Sequence, residues 1–243
     1  MPETNPAPIL TALDLTALDL ASTNVTSRHC FIINGSVVRD HVNDSALPLS
    51  LNCGTLSAQH RQDLANALPF LACGEESAIH AFSSSLLKHL NDQQRAEMAQ
   101  IANDELRHAH WLECLRIALP QPNLHLSSIE LTRFFKRLLT RNTSLHFARV
   151  AALDSAVCKL LAPLLHAESA LVCQSPQIHA GLVSIALDEA RHVKAARAMA
   201  AHFGLSQLMQ VEVNAAIKAE LWQLLTPVLP GLARLARRTT ANL

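Results

Sequence analysis

The chain has 243 residues, with 20 lysines and arginines against 20 aspartates and glutamates, so its formal net charge is zero. This balance argues against a nucleic-acid-binding protein, which normally carries a basic face. Hydrophobic residues make up 49% of the chain, whereas glycine occurs only six times and tyrosine not at all. Because such a composition supplies a large core and favours helices over strands, it predicts an all-α fold.

Targeting and membrane signals are not visible in the sequence. The first residues lack a basic region followed by an apolar one, and no stretch of about 18 uncharged apolar residues is present to span a bilayer. The six cysteines form no CxxC pair, which favours reduced thiols over a disulfide framework. We therefore expect a cytoplasmic protein that contacts neither membranes nor nucleic acids.

Residues 1–55 form a predicted N-terminal extension with several prolines and turn-forming residues. Within it, Asn34-Gly35 separates two runs with β-branched residues, a pattern that predicts a small hairpin over 31–38. Helical periodicity begins near Ser57 and predicts a four-helix bundle over 56–204, with further helices packing on it over 205–243. The first helices are predicted over 57–90, 91–119 and 127–140. The next begins at 143 or 144 and bends or ends between 163 and 172. Another spans 175–204, and one or two further helices occupy 206–238.

Capping residues mark several of these helix ends. Thr143 or Ser144 is predicted to cap the third long helix. Ser175, followed by Pro176 at the first helical position, is predicted to open the fourth, and Gly204 to close it. The basic residues near the end of the last helix are expected to be solvated: Arg234, Arg237 and Arg238.

The pattern Asp-Glu-x-Arg-His occurs twice, at 104–108 and at 188–192, and the two copies are 84 positions apart. A glutamate and a histidine three residues apart lie on one face of a helix, where a carboxylate oxygen and an imidazole nitrogen can reach one metal ion. Both copies fall within apolar stripes, where ionised side chains are costly unless they are paired or bind a metal. The paired motifs therefore predict metal ligands at Glu105 and His108, and at Glu189 and His192.

Dimetal centres in helical bundles also take one carboxylate from each of the other two helices. On the third helix, Asp154 lies in the apolar stripe, whereas Glu168 is too close to Glu189 in sequence for a helix, a turn and the return. On the first helix, Glu75 lies nearer than Glu76 to the centre of the apolar stripe. We therefore favour Asp154 and Glu75 and retain Glu76 as an alternative to Glu75.

This set of residues resembles the ferritin-like di-iron carboxylate superfamily, and in particular its oxygen-activating branch, such as the bacterial multicomponent monooxygenase hydroxylases. The resemblance implies two iron ions, with manganese as an option, and O₂ as co-substrate. Asp154 departs from it, since most members carry glutamate there, and the shorter side chain could leave one iron more open. The resemblance implies that the metal-binding, catalytic residues are Glu75, Glu105, His108, Asp154, Glu189 and His192. It also implies that Asp104 and Asp188 orient the histidines and that Arg107 and Arg191 pair with these aspartates.

The function implied by the resemblance is that of a non-haem di-iron oxygenase, which hydroxylates or N-oxygenates a small or carrier-bound organic substrate. Electrons would come from a separate reductase, because the chain shows no flavin or nicotinamide motif. Two alternatives stay open, a di-iron oxidase that scavenges peroxide or oxygen and a metal-binding protein without activity. A homodimer is a further option. Apolar side chains are expected to line the substrate pocket: Phe82, Cys158, Leu161, Leu182, Ile185 and Phe203.

Overall fold

The structure, a computed structural model, describes residues 51, 53, 55–83, 88–124 and 126–237. Within these ranges the chain is helical and has no extended strand, which confirms the all-α prediction. The hairpin predicted over 31–38 lies outside the described residues. The helices are α1 (Ala58–Ser83), α2 (Asp92–Ala118), α3 (Ser128–Leu138), α4 (Thr143–Leu161), α5 (Ala170–Gln174), α6 (Pro176–His202), α7 (Gln207–Leu225) and α8 (Leu229–Ala236).

The helices pack mainly in pairs. α1 packs along α2, and α4 packs along α6. α3 connects the two pairs, while α7 packs on α4 and α8 packs on α1. None of the described helices is both long and apolar enough to cross a membrane.

The buried apolar side chains form two clusters rather than one. Along α2, Ile101 belongs to one cluster and Leu112 to the other, and the buried polar residues Glu105 and His108 lie between them. On α1, α4 and α6 the apolar residues around the buried polar ones also divide between the two clusters, so a polar layer separates two apolar regions. The cluster that contains Leu112 includes Phe70, Leu71, Leu161 and Ile185, and the cluster that contains Ile101 includes Phe82, Met98, Phe147 and Ala196.

Side-chain caps account for several helix ends. Asn91 opens α2 through a reciprocal capping box with Gln94. Asn142, not Thr143 or Ser144 as predicted, caps α4, because its side-chain oxygen accepts a hydrogen bond from the backbone N–H of Leu145 at 3.0 Å. Asparagine is among the strongest N-caps and stands one position before Thr143 and two before Ser144, so the predicted cap was one or two residues too late.

The end of α6 follows the sequence prediction closely. Gly204 has a φ of 88°, in the left-handed region that glycine adopts without strain. Its N–H donates to the carbonyl of Ala201, and the N–H of Leu205 donates to the carbonyl of Ala200. These two bonds form a Schellman motif, which stops α6 and turns the chain into α7.

Arg234 and Arg237, in the predicted solvated basic end of the last helix, are exposed as expected, but Arg234 also pairs with the buried Asp63. Its guanidinium binds both carboxylate oxygens of Asp63, at 2.6 and 2.9 Å, and thereby joins α8 to α1. The Asp63 side chain is 2% exposed, and this pair holds the pKa of the carboxyl below its usual value despite the opposing effect of burial. The two residues are 171 positions apart, so no local pattern could reveal the contact.

Candidate metal centre

Four helices bring six predicted ligands into the buried polar layer. α1 contributes one carboxylate, α4 another, and α2 and α6 each contribute a glutamate and a histidine. All six side chains are buried. They are Glu75, Glu105, His108, Asp154, Glu189 and His192.

The ligand atoms of these residues form two groups. In the first, Glu75, Glu105, His108 and Glu189 each offer an atom, and these atoms all lie within 4.8 Å of one another. The second group joins Glu189 to Asp154 and His192 with the same spacing. Because Glu189 belongs to both groups, the buried cluster could hold two adjacent cations with one shared carboxylate.

The structure distinguishes the two glutamates considered on the first helix. Glu75 is 4% exposed, and its Oε2 lies 3.2 Å from Nδ1 of His108. Glu76 is half-buried, and neither group of ligand atoms among the described residues includes it. Glu75 is therefore the α1 carboxylate that faces the polar layer.

Several atoms of this layer are buried without a hydrogen-bond partner among the described residues. They include both oxygens of Glu105, both ring nitrogens of His192 and Oδ2 of Asp154. His192 Nδ1 lies only 2.9 Å from Glu105 Oε1, yet the two atoms are not aligned as a hydrogen bond. Such burial is costly unless something satisfies these atoms, and carboxylate oxygens and imidazole nitrogens directed at one point fit a bound cation.

The electrostatics of the cluster lead to the same conclusion. Burial, reinforced by neighbouring carboxylates, raises the pKa of Glu75, Asp154 and Glu189 well above the usual range. Burial acts on Glu105 too, but the imidazoles of His108 and His192 outweigh it and lower the pKa of this carboxyl to about 2. Four carboxyl groups in one buried layer cannot all ionise without added positive charge, which a divalent cation would supply.

The two Asp-Glu-x-Arg-His segments are connected crosswise. Nε2 of His108 lies 3.1 Å from the carboxylate of Asp188, which belongs to the other segment. Nε2 of His192 lies 3.5 Å from the carboxylate of Asp104, again across the helix pair. A proton on Nε2 of His108 can be held by Asp188, and Asp104 approaches Nε2 of His192, so Nδ1 of both rings faces the glutamates, where it could bind a cation.

Two arginines close this network at the protein surface. Arg107 contacts Asp104 at 2.6 Å and Asp188 at 3.0 Å. Arg191 contacts the same two carboxylates, Asp188 at 3.0 Å and Asp104 more closely. Burial opposes it, but Arg191 and Arg107 keep the pKa of Asp104 below its usual value, and Arg191 and His108 do the same for Asp188. The aspartates therefore stay ionised between the arginines and the histidines.

The residues predicted to line a substrate pocket differ in burial. Phe82, Leu161, Leu182 and Ile185 lie in the core, whereas Cys158 and Phe203 are partly exposed. The Phe82 ring packs edge-on against His192, with 6.1 Å between ring centroids. Cys158 follows Asp154 by one turn of α4. Burial and the Asp154 carboxylate raise the pKa of the Cys158 thiol.

One close contact near the site was not anticipated. The Trp111 ring, one turn after His108, lies over Gly181 of α6, where an added Cβ would come within 2.1 Å of the indole. A glycine in the middle of a helix indicates close approach of a neighbour, so Gly181 carried a usable signal. No sequence signal indicated that the two Asp-Glu-x-Arg-His segments contact each other crosswise, because this contact depends on how α2 and α6 are rotated against each other.

A comparison of the chain with protein-family models finds no match, and comparisons with curated proteins and with solved structures find none either. What this site can do must therefore be inferred from its own side chains.

Proposed function

We propose that this protein is a ferritin-like, non-haem di-iron oxygenase, which uses O₂ to oxidise a small or carrier-bound organic substrate. The observation that carries the proposal is the shared position of Glu189. One buried carboxylate common to two groups of ligand atoms suits a pair of neighbouring metal ions. Packing of α1 along α2 and of α4 along α6 supports a four-helix bundle as the scaffold.

The composition of the ligand set favours iron, with manganese as the second choice. Four carboxylates and two imidazoles, without thiolate, suit iron or manganese better than copper(I) or structural zinc. When bound, a pair of iron ions would supply the redox chemistry that activates O₂. Glu75, Glu105 and His108 would hold one ion and Asp154 and His192 the other, and Glu189 offers an atom to either group.

The protein residues have separate tasks in this proposal. The Asp188 carboxylate would accept the Nε2 proton of His108, and the Asp104 carboxylate lies 3.5 Å from Nε2 of His192, so both aspartates would orient Nδ1 toward the ions. The apolar clusters on both sides of the layer exclude water from it. Asp154 has one methylene less than a glutamate, so it would reach less far toward a bound ion, and a substrate would approach on this side. A separate reductase would deliver the electrons.

Isotope labelling tests the proposal. The protein is loaded anaerobically with iron(II), exposed to ¹⁸O₂ and supplied with candidate amines, aryl acids or acyl carriers, and the products are examined by mass spectrometry. An oxygenase transfers ¹⁸O to an organic product. Glu189→Ala should abolish the transfer, whereas Glu76→Ala, which changes an adjacent and partly exposed glutamate, should retain it.

A different result would overturn the oxygenase. If the iron-loaded protein consumes O₂ or peroxide rapidly and no organic compound changes the rate or takes up label, the protein is a scavenging oxidase. If it binds iron and consumes neither, it is a metal-binding protein without this activity.

A further inference from the structure

The surface next to Asp154 carries a group of cations that the metal centre does not use. Lys218 of α7 is partly buried against α4, where its ammonium donates a hydrogen bond of 3.0 Å to the hydroxyl of Ser155. Ser155 directly follows Asp154 in the chain. The Cys158 thiol, one turn later, lies within electrostatic reach of both Asp154 and Lys218. Lys218 therefore contacts the residue that directly follows the α4 ligand in the chain.

Lys159 of α4 and Arg197 of α6, on two helices that pack together with α7, lie near enough to Lys218 to act on its charge. After the larger effect of burial, these two cations lower the pKa of the Lys218 ammonium. The ion pairs found among the described residues involve other cations, so three positive charges from α4, α6 and α7 meet here without a carboxylate partner in that part of the chain. Like charges gathered in this way favour the binding of an anion.

We propose that Lys218, assisted by Lys159 and Arg197, binds the anionic end of the organic substrate, a carboxylate or a phosphate. This inference rests on the proposed oxygenase function and deepens it by naming the substrate class. The anion would replace the neutral Ser155 hydroxyl as the acceptor of the Lys218 hydrogen bond, and a charge-assisted bond is the stronger one. The remainder of the substrate would then extend past the partly exposed Cys158 toward Asp154.

Calorimetric titration with three six-carbon probes tests the inference. Hexanoate and hexyl phosphate carry the two candidate anions, and hexanol has the same apolar body without charge. The metal-loaded protein should bind at least one anionic probe about tenfold more tightly than hexanol, as expected for a charge-assisted contact. The anion that binds more tightly identifies the source of the charge.

Variants of Lys218 show whether this preference comes from the proposed cluster. Lys218→Gln should weaken binding of the preferred anion about tenfold and leave hexanol binding unchanged. Lys218→Arg should retain the preference because it keeps the charge. Lys88→Gln, at an exposed lysine ahead of α2, is the matched control and should behave like the wild type. If Lys218→Gln does not fold, the double variant Lys159→Gln/Arg197→Gln makes the same test on exposed side chains.

Equal affinity for the charged and neutral probes would overturn the inference, as would equal losses in Lys218→Gln and Lys88→Gln. Iron content, measured on the same samples, separates this failure from failure of the oxygenase. Normal iron content without an anion preference overturns the substrate class alone. Absence of iron from the wild type overturns the proposed function, and the substrate role falls with it.

Discussion

Glu75 and Glu76 are adjacent in the chain but differ in their environment. The carboxylate of Glu75 is buried 3.2 Å from a ring nitrogen of His108, while Glu76 is partly exposed. Glu75→Ala should therefore remove about half of the bound iron, since it takes a ligand from one of two ions. Glu76→Ala should leave the iron content unchanged. Elemental analysis of both purified variants checks this, and equal or reversed losses would assign the ligand to Glu76.

The raised carboxyl pKa values predict an unusual pH dependence for the metal-free protein. A carboxyl whose pKa is higher in the folded state stabilises the fold below its unfolded pKa, near 4.3 for glutamate, and loses that contribution as pH rises through the folded pKa. With the pKa values of Glu75, Asp154 and Glu189 all raised, the Tm of the metal-free protein should fall as the pH rises above about 4.3.

The neutral isostere Glu189→Gln makes this prediction specific. It removes one buried ionisable group, so its metal-free form should have a higher Tm than the wild type at neutral pH and a weaker dependence on pH. Thermal unfolding of both proteins in the presence of a chelator is the measurement. If the pH profiles of Tm coincide for the two proteins, ionisation of Glu189 does not destabilise the metal-free fold.

At the scale of helices, the crosswise contacts make each aspartate act on the histidine of the other helix. Asp188→Asn should affect the ion held by His108, and Asp104→Asn the ion held by His192. Loss of such an outer contact commonly lowers metal affinity or activity by about 10–100-fold without abolishing binding. Iron-binding titrations and O₂-uptake rates measure the effect. Wild-type values in both variants would show that the aspartates only stabilise the surface.

The contact between Trp111 and Gly181 sets the separation of α2 and α6 near the site. Gly181→Ala would force a Cβ into the indole ring and should destabilise the protein by about 1–3 kcal/mol. Gly74→Ala is a fitting control, because an added Cβ on this α1 glycine meets nothing within 4 Å. The control should stabilise the helix by about 0.5–1 kcal/mol. Denaturant unfolding compares the two, and similar effects would exclude a close contact at Gly181.

For single helices, the buried face could be predicted from the sequence, but some caps and contacts between helices could not. The repeated segment and the apolar stripes were sufficient to predict that Glu105, His108, Glu189 and His192 lie on buried faces, because helical periodicity is a local property. The choice of Asn142 over its neighbours as a cap was missed, since three adjacent polar residues compete for one position. The crosswise pairing was out of reach because it depends on tertiary rotation.

For the molecule as a whole, the all-α class followed from composition, whereas the attachment of α8 did not. The Asp63–Arg234 pair, which joins the end of the described chain to its first helix, connects residues that no sequence pattern relates. The division of the core into two apolar clusters likewise becomes visible only when the helices are assembled. A polar layer across the middle of a core weakens the apolar contacts there, and a bound pair of ions would compensate for that loss.

We propose that this layer holds two neighbouring iron ions. Mössbauer spectroscopy of protein loaded with ⁵⁷Fe, combined with iron and protein quantification, tests this. We expect close to two irons per chain, a magnetically coupled pair after oxidation, and loss of this signal in Glu189→Ala but not in Glu76→Ala. Less than one iron per chain, or a spectrum of isolated iron ions that Glu189→Ala leaves unchanged, would contradict it.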